Sequence, residues 1–336
     1  MKQSVAKVVG ATALAGALLL AVGCQAPTTP SAEPTTTSSD TPASVVLYTS
    51  EAASSETIGA RFTADTGIAV ELVTGSSGEL LSRVKGEAGN PQGDVYLSGC
   101  LAIAENTDVL TVYKAPTFDR IQSDFLGDTK PSPSLAWLTG LMYNSERVPA
   151  AEVPTSYADL ADEKWRGQIA IADPAASSAA YYQILAIYLA GGWDLVEKVA
   201  KNLVISDNSA GPRAVSDGEV SLGLFNESAA AAYRDNPQVE MTYPKEGVIA
   251  GVTCIAEIAG SKRADGAHAF IDWFLGDKGQ AMVATELSGV RPVIQGAPDP
   301  DGLPSLDTVK VVAMPADSET EKEKYLSEWE NIITNI

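Results

Sequence analysis

Residues 68–87 read IAVELVTGSSGELLSRVKGE, a stretch that contains the signals of a strand, a loop and a helix in immediate succession. Apolar residues occupy every second position from 68 to 72, which is the period of a β-strand with a buried face. Glycine and serine fill positions 75–78, and apolar residues then recur at helical spacing. The stretch therefore predicts a strand that is followed by a short loop and a helix.

The loop of this unit is a candidate anion-binding site. The first amides of a helix lack intrahelical acceptors, and the helix dipole favours negative charge at that end. Ser76, Ser77 and Gly78 are the candidate ligand-binding residues. The alternative is a plain N-cap, in which Ser76 or Ser77 caps the helix and Glu79 lies in its first turn.

A second unit of the same kind favours the binding interpretation. The sequence predicts a strand at 168–172, a loop at 173–178 and a helix from 179 to 190. Ala176, Ser177 and Ser178 are the candidate ligand-binding residues of this second loop. Two such loops could offer amides and hydroxyls to the same solute.

The order of elements predicts an α/β fold. Predicted strands alternate with predicted helices along the chain, a pattern typical of parallel, doubly wound sheets. Ligands of such sheets bind at the carboxyl ends of the strands. Ser50, Glu51 and Ser98 follow or end predicted strands in the first third of the chain, and Asn226 and Glu227 follow a strand at 220–225. We expect these residues at the ligand site.

Length and charge limit the possible partners. A chain of 336 residues is long enough for two lobes. Its formal charge of -20 excludes nucleic acid as a partner, since a phosphate backbone must be neutralised by basic residues. An anionic solute would have to be held by local hydrogen-bond donors.

The N-terminus predicts export. Two lysines precede an apolar run that ends in LAVGC at 20–24, and small residues before a cysteine resemble a bacterial lipobox. We expect a signal peptide at 1–24, a lipidated Cys24 and an extracytoplasmic, membrane-anchored protein. Residues 25–43, rich in serine, threonine and proline, predict a flexible tether. A simple signal peptide with an incidental cysteine is the alternative.

Enzyme chemistry finds little support in the sequence. His268 is the single histidine and falls on a predicted helix, where a surface role is expected. The chain has no nucleophile elbow, no phosphate loop and no cluster of cysteine and histidine. We therefore expect no catalysis and no cofactor. A purely structural or adhesive lipoprotein remains an alternative of another class.

Several phrases of the sequence, in order and at matching spacing, resemble those of the extracellular solute-binding proteins of ABC importers, in the ferric-ion-binding-like group. The resemblance covers the chain from about residue 45 to its end. The phrases are YTS at 48–50, FTADTGI at 62–68, GSSGE at 75–79, NPQGDV at 90–95, VPTSYADL at 153–160, KWRG at 164–167, ADP at 172–174, VSDGE at 215–219, YPKEG at 243–247 and FIDWF at 270–274.

The resemblance implies two α/β lobes that are joined by crossing hinge strands and close over a ligand. One lobe would contain 44–143 and about 246–290, and the other 144–245 and about 291–336. The return strand after Tyr243 would lie antiparallel to the strand that ends at Ser98, so we predict a disulfide between Cys100 and Cys254. The implied partners are permease and ATPase subunits, and the protein itself is expected to be a monomer.

The sequence leaves two alternatives for the bound solute, ferric iron and an organic anion. Ferric members of the family resemble one another in a tyrosine pair after the strand that ends here at Phe225, but this chain has Asn226-Glu227. Ferric binding would then depend on Glu51 and Glu227, since ferric iron prefers hard oxygen ligands. The favoured alternative is a phosphonate or phosphorylated organic anion. The pair Tyr181-Tyr182 is expected to pack in the core.

Overall fold

The opening segment folds as the sequence predicts in the computed structural model of the protein, which describes residues 44–126, 131–207 and 209–336. Its strand (Ala69–Thr74) pairs in parallel with the preceding strand (Ser44–Thr49). Its helix (Ser77–Gly86) buries Leu80 and Val84, as expected of the apolar face. The predicted signal peptide at 1–24, its Cys24 and the predicted tether at 25–43 lie outside the described residues.

The described residues contain ten strands and nine α-helices. The strands are β1 (Ser44–Thr49), β2 (Ala69–Thr74), β3 (Val95–Gly99), β4 (Leu110–Thr111), β5 (Ser132–Asn144), β6 (Ile169–Ala172), β7 (Leu203–Ser206), β8 (Leu222–Asn226), β9 (Val239–Thr242) and β10 (Ala250–Ile258). The helices are α1 (Ala52–Thr66), α2 (Ser77–Gly86), α3 (Cys100–Ala104), α4 (Ser178–Ala200), α5 (Ala210–Ser216), α6 (Glu227–Ala231), α7 (Ala264–Phe274), α8 (Asp277–Glu286) and α9 (Lys322–Asn335).

The strands form one mixed sheet whose main path runs β2-β1-β3-β10-β5-β8-β6-β7. Neighbouring strands are parallel within the group β2-β1-β3 and within the group β8-β6-β7. Between these groups, β10 and β5 run antiparallel to each neighbour on the path. The predicted α/β fold with two parallel groups joined by crossing strands is confirmed. We call the part built on β1–β3 the first lobe and the part built on β6–β8 the second lobe.

Strand β5 crosses from one lobe to the other. Its residues up to Leu138 pair with β10, and those from Thr139 onwards pair with β8. Because one continuous strand carries both pairings, the crossing falls at Thr139 and not at the expected boundary after residue 143.

Each lobe has its own apolar core. The first core contains Phe62, Phe270 and Phe274. The second contains Trp329 together with Tyr181 and other residues of α4. Tyr181 thus packs in a core as expected. The expectation that all of 291–336 belongs to the second lobe is wrong in part. Val293 and Ile294 pack in the first core, whereas α9 contributes Tyr325, Trp329 and Ile332 to the second.

A disulfide joins Cys100, at the start of α3, to Cys254 of β10. Cys254 lies opposite Ser98 in the antiparallel pair of β10 with β3, which is the arrangement that the family resemblance implies. The bond therefore fixes the end of β3 to the crossing strand. Among the described residues, no helix is both long and apolar enough to cross a bilayer.

Candidate functional site

The carboxyl ends of the two parallel strand groups converge on the middle of β5. Gly99, at the end of β3, pairs with Thr253 of β10, which in turn pairs with Leu135. Asn226, at the end of β8, pairs with Thr139. β3 and β8 run in opposite directions, so their ends approach the same gap, which spans four residues of β5 or about 13 Å of strand. Trp137 lies in the middle of this gap.

Three serines from three different segments are joined by hydrogen bonds on the side of the first lobe. The hydroxyls of Ser77 and Ser98 lie 2.6 Å apart, and the Ser98 hydroxyl donates to Ser50 at 2.9 Å. The sequence predicted all three at the site, and the structure brings them together. Ser98 is fully buried, so its hydroxyl orients Ser50 and Ser77 and does not itself face a solute.

The start of α2 is capped by its own side chains. The Ser76 hydroxyl accepts a hydrogen bond from the Glu79 amide, and the Glu79 carboxylate accepts from the Ser76 amide at 2.9 Å. The Ser76 hydroxyl also donates to the Glu79 carboxylate at 2.8 Å, and the hydrogen bonds from the Ser76 amide and hydroxyl lower the pKa of the Glu79 carboxyl. Among the described residues, the amides of Ser77 and Gly78 have no acceptor. Ser76 therefore acts as the N-cap of α2, as the alternative interpretation has it. The Glu79 carboxylate at this helix end also repels an anion.

The start of α4 in the second lobe is more open. Ser177 is the N-cap and accepts a hydrogen bond from the Ala180 amide at 3.4 Å. The amides of Ser178 and Ala179 have no acceptor among the residues that the structure describes. No acidic residue lies in the first turn of α4. This helix end therefore keeps the positive field that attracts an anion.

A cavity of about 330 Å³ lies against the start of α4. Its polar lining includes Ser177, Ser178 and Asn226, and the side chain of Asn226 also caps α6 by accepting from the Ala229 amide at 3.0 Å. Ala176 lines the cavity as well. The predicted candidates of the second loop and Asn226 are therefore brought together.

Trp137 is a lining residue that the sequence did not single out. It belongs to the apolar run that predicts a crossing strand, and it is partly exposed between buried neighbours Ala136 and Leu138. Its ring stacks on Tyr182, with the ring centroids 5.8 Å apart. The available signal was a lone large aromatic residue in the segment that connects the two lobes.

Glu51 is a half-buried carboxylate at the first-lobe side of the gap. It precedes α1, its amide donates to the Thr49 hydroxyl, and its Oε1 accepts a hydrogen bond from Thr253 at 2.9 Å. Burial raises the pKa of the Glu51 carboxyl, although the Thr253 hydrogen bond partly opposes this. Thr253 pairs with Gly99, so Glu51 lies at the strand ends as predicted.

The prediction that Glu227 faces a ligand is wrong. Its carboxylate is fully buried and accepts hydrogen bonds from Arg291, from the Tyr243 hydroxyl at 2.6 Å and from the Leu138 amide at 2.9 Å. Burial and the Glu227 charge raise the pKa of the Tyr243 hydroxyl, which keeps it a donor. Both oxygens of Glu227 are thus occupied inside the protein.

The two carboxylates expected to ligate ferric iron have different surroundings. Of the two carboxylates predicted for ferric iron, Glu227 is occupied by Arg291 and only Glu51 remains at the gap. No group of three or more histidine, cysteine, aspartate or glutamate side chains within 44–126, 131–207 and 209–336 could hold a metal ion.

A family model matches residues 93–314, and it describes bacterial extracellular solute-binding proteins. The chain belongs to this family. This solute-binding protein is 29% identical over 327 residues to iron uptake protein A1 of Synechocystis sp., with 85% of each chain covered. It is 27% identical over 278 residues to an Fe(3+)-binding periplasmic protein of Serratia marcescens, covering 75% of this chain and 80% of the relative.

A third relative is named for a phosphonate and not for iron. The putative 2-aminoethylphosphonate-binding periplasmic protein of Salmonella typhimurium is 26% identical over 247 residues, covering 69% of this chain and 72% of the relative. Among solved structures, iron-bound HitA from Pseudomonas aeruginosa is similar with a TM-score of 0.72 at 21% identity, covering 87% of this chain and 99% of that chain.

The periplasmic binding protein AfuA from Actinobacillus pleuropneumoniae, with fructose-6-phosphate bound, is similar with a TM-score of 0.68 at 21% identity. The match covers 86% of this chain and 98% of that chain. Structural matches at this level of identity establish the fold, which is that of a periplasmic binding protein. We call the gap at Trp137 the cleft.

Proposed function

We propose that this solute-binding component of an ABC importer captures a phosphonate or a phosphorylated organic anion in the cleft. The observation that carries the proposal is the open start of α4, where two amides without an acceptor among the described residues and two serine hydroxyls lie at a cavity. Opposite it lie the hydroxyls of Ser50 and Ser77, which the buried Ser98 holds in place. These donors suit the oxygens of a tetrahedral anion.

Helix dipoles alone cannot supply the affinity. A helix N-terminus contributes about 0.3 to 1 kcal/mol, and up to about 2 kcal/mol when partly buried. Micromolar binding needs about 8 kcal/mol. Hydrogen bonds to a charged group contribute about 1.5 to 3 kcal/mol each, so three or four donors are required. The amides of Ser178 and Ala179 together with nearby hydroxyls provide that number.

Glu51 supports a ligand that also has an amino group. Its carboxylate lies at the first-lobe edge of the gap, and within the described residues only Thr253 is hydrogen-bonded to it through a side chain. A cation near Glu51 would favour the ionised carboxylate and offset the cost of its burial. An aminophosphonate would therefore match α4 with its anionic end and Glu51 with its amino end.

Ferric iron is the second candidate, and the names of two relatives favour it. Hard oxygen ligands are needed for such an ion. Glu227 is unavailable because Arg291 and Tyr243 bind it, which leaves Glu51 without a second carboxylate of the predicted pair. The donor chemistry of the cleft thus favours the organic anion over iron.

We also propose a binding role without catalysis. His268 bonds to Glu257, with His268 Nε2 2.9 Å from the carboxylate, and stacks on Tyr113. Glu257 pairs with Val95 at the start of β3, whereas the cleft lies at the other end of that strand. His268 therefore lies away from the cleft.

The experiment is calorimetry on a soluble form that begins after Cys24. The titrants are 2-aminoethylphosphonate, a hexose phosphate, inorganic phosphate and ferric nitrilotriacetate, and native mass spectrometry identifies any solute that copurifies. The proposal expects micromolar or tighter binding of an organic phosphonate or phosphate ester. Tight binding of ferric iron with no heat from either organic anion would overturn it.

We infer a lipid anchor at Cys24, a tether at 25–43 and a monomer that docks on permease and ATPase subunits. The support for the anchor is the lipobox-like LAVGC at 20–24. A Cys24→Ala variant should leave the membrane fraction of the cell, whereas the native chain should stay in it. Equal membrane association of both proteins would contradict the anchor.

A further inference from the structure

We propose that Trp137 determines which anions the cleft accepts, because its indole forms an apolar wall for the carbon body of the solute. The inference rests on the proposed function and narrows its substrate class. The preferred solute then has a phosphoryl or phosphonyl group joined to a compact aliphatic or sugar body. Inorganic phosphate and metal ions lack the part that this wall would contact.

The position of the indole is built into the backbone. Trp137 of β5 lies directly opposite Gly251 of β10 in the antiparallel pair. A Cβ atom at Gly251 would lie 2.0 Å from the indole ring of Trp137, so any other residue there would force the indole to move. Glycine at this position therefore gives the indole its place over the crossing strands, at the point where both lobes meet.

A second aromatic residue holds the indole from the side of α4. Tyr182 stacks on Trp137 with an interplanar angle of 24°, and its hydroxyl donates to Glu319 at 3.4 Å. Tyr182 follows Ser178 by four residues on the same helix, so the two share one helix face. One helix thus presents the anion-binding amides at its start and supports the apolar wall one turn later.

The cavity lining contains both polar and apolar side chains. The polar ones belong to Ser177, Ser178 and Asn226, and the large apolar ones to Trp137, Leu224 and Phe225. An organic anion can satisfy both sides at once, because its oxygens take the donors and its carbon atoms release water from the apolar wall. A small inorganic anion can use only the donors.

The test compares three variants by calorimetry. Trp137→Ala removes the wall, Trp137→Phe retains an aromatic ring, and Gly251→Ala displaces the indole without deleting it. The probes are 2-aminoethylphosphonate, a hexose phosphate and inorganic phosphate, and thermal unfolding confirms that each variant is folded. Trp137→Phe and Gly251→Ala keep the test decisive if Trp137→Ala fails to fold.

Trp137→Ala and Gly251→Ala should weaken binding of the preferred organic anion at least tenfold, which is a loss of about 1.4 kcal/mol or more. Trp137→Phe should keep most of the affinity, and the affinity for inorganic phosphate should stay within about twofold in all variants. Equal weakening of inorganic phosphate, or unchanged binding of the organic anion, would overturn this inference alone. Failure of the native protein to bind any organic anion would overturn the proposed function as well.

Fluorescence gives an independent readout. Of the five tryptophans in the chain, Trp165, Trp273 and Trp329 are buried in the cores. A ligand that covers Trp137 should change the emission of the native protein, and the change should disappear in Trp137→Phe. A change of equal size in that variant would contradict direct contact between the solute and the indole.

Discussion

The guanidinium of Arg291 forms an ion pair with the carboxylate of Glu227, and both side chains are almost completely removed from water. Arg291 Nε lies 2.9 Å from Glu227 Oε2, and the exposed fractions of the two side chains are 2% and 0%. The backbone of Arg291 also bonds to Ala136 of β5 in both directions. The pair therefore joins the start of α6 in the second lobe to the segment after α8, at the crossing strands.

Arg291→Met should destabilise the fold by about 3 to 5 kcal/mol, because it leaves the Glu227 carboxylate buried without its counter-charge. Urea unfolding monitored by circular dichroism measures the change. Arg213→Met is the matched control, since the Arg213–Asp217 pair is exposed, and its loss should cost less than about 1 kcal/mol. Equal losses of stability in the two variants would show that the buried Arg291–Glu227 pair contributes no more to stability than the exposed pair.

The sequence predicts the local elements around the cleft but not this pair. Alternating apolar residues, the glycine and serine loops and the helical spacing are local signals, and they place β2, α2, β6 and α4 correctly. Glu227 and Arg291 are 64 residues apart, and no local pattern states that they meet. From the sequence, a carboxylate at a strand end is as compatible with a ligand contact as with a buried ion pair. Only the tertiary structure shows that Glu227 pairs with Arg291.

Trp137 and Ser98 show the same limit. The long apolar run at 135–144 indicates a buried strand that can pass between lobes, but which of its side chains stays partly exposed depends on the gap between the two lobes. Ser98 lies one residue before the end of β3, close to the predicted strand end, yet it is covered by its neighbours and holds Ser50 and Ser77. Helix ends show the same limit, since the helical pattern around His268 continues across Gly276, where the structure separates α7 from α8.

Glu51→Gln should stabilise the solute-free protein at neutral pH but not at acidic pH. Burial raises the pKa of the Glu51 carboxyl in the folded state above its ordinary value of 4.5. The folded state therefore binds the proton of the Glu51 carboxyl more tightly than the unfolded state does. This tighter binding stabilises the fold below pH 4.5, and the stabilisation is lost as the pH rises through the folded-state pKa. The glutamine variant removes that loss and can still accept from Thr253.

The measurement is the difference in unfolding free energy between Glu51→Gln and the native protein from pH 4 to pH 8. The difference should be near zero at the acidic end, grow as the pH rises and then level off. A difference that stays constant over this range would contradict a raised pKa at Glu51.

Removing the Cys100–Cys254 disulfide should lower stability by about 2 to 4 kcal/mol, because the bond closes a long loop, with a sequence separation of 154. The double variant Cys100→Ser/Cys254→Ser and the reduced native protein should unfold at the same lowered temperature. Thiol counting on the denatured, unreduced form that begins after Cys24 should find no reactive thiol. Two reactive thiols, or an unfolding temperature insensitive to reductant, would contradict the bond.

Ser98→Ala tests whether the serine network positions the first-lobe donors. The substitution removes the bonds to both Ser50 and Ser77, and at about 1 kcal/mol each the expected loss of stability is about 2 kcal/mol. Solute affinity should fall as well, although Ser98 is buried, since two donors lose their orientation. The control Ser261→Ala breaks a hydrogen bond to Asp94 elsewhere in the same lobe and should leave the affinity unchanged.

The amide of Ser178 is the donor whose removal tests the α4 site most directly. Proline is tolerated at the first position of a helix and lacks an amide hydrogen. Ser177, which precedes it, has the extended conformation that proline requires, with φ -128 and ψ 116. Ser178→Pro therefore removes one free donor with little change in the fold.

Ser178→Pro should weaken binding of the organic anion by about tenfold to a hundredfold, since one hydrogen bond to a charged group is lost. Ser178→Ala is the matched control, because it deletes the hydroxyl and keeps the amide, so the ratio of the two dissociation constants isolates the amide contribution. Calorimetry with 2-aminoethylphosphonate or a hexose phosphate measures both. Equal dissociation constants for the two variants would mean that the solute does not accept this hydrogen bond, and the anion would have to bind elsewhere in the cleft.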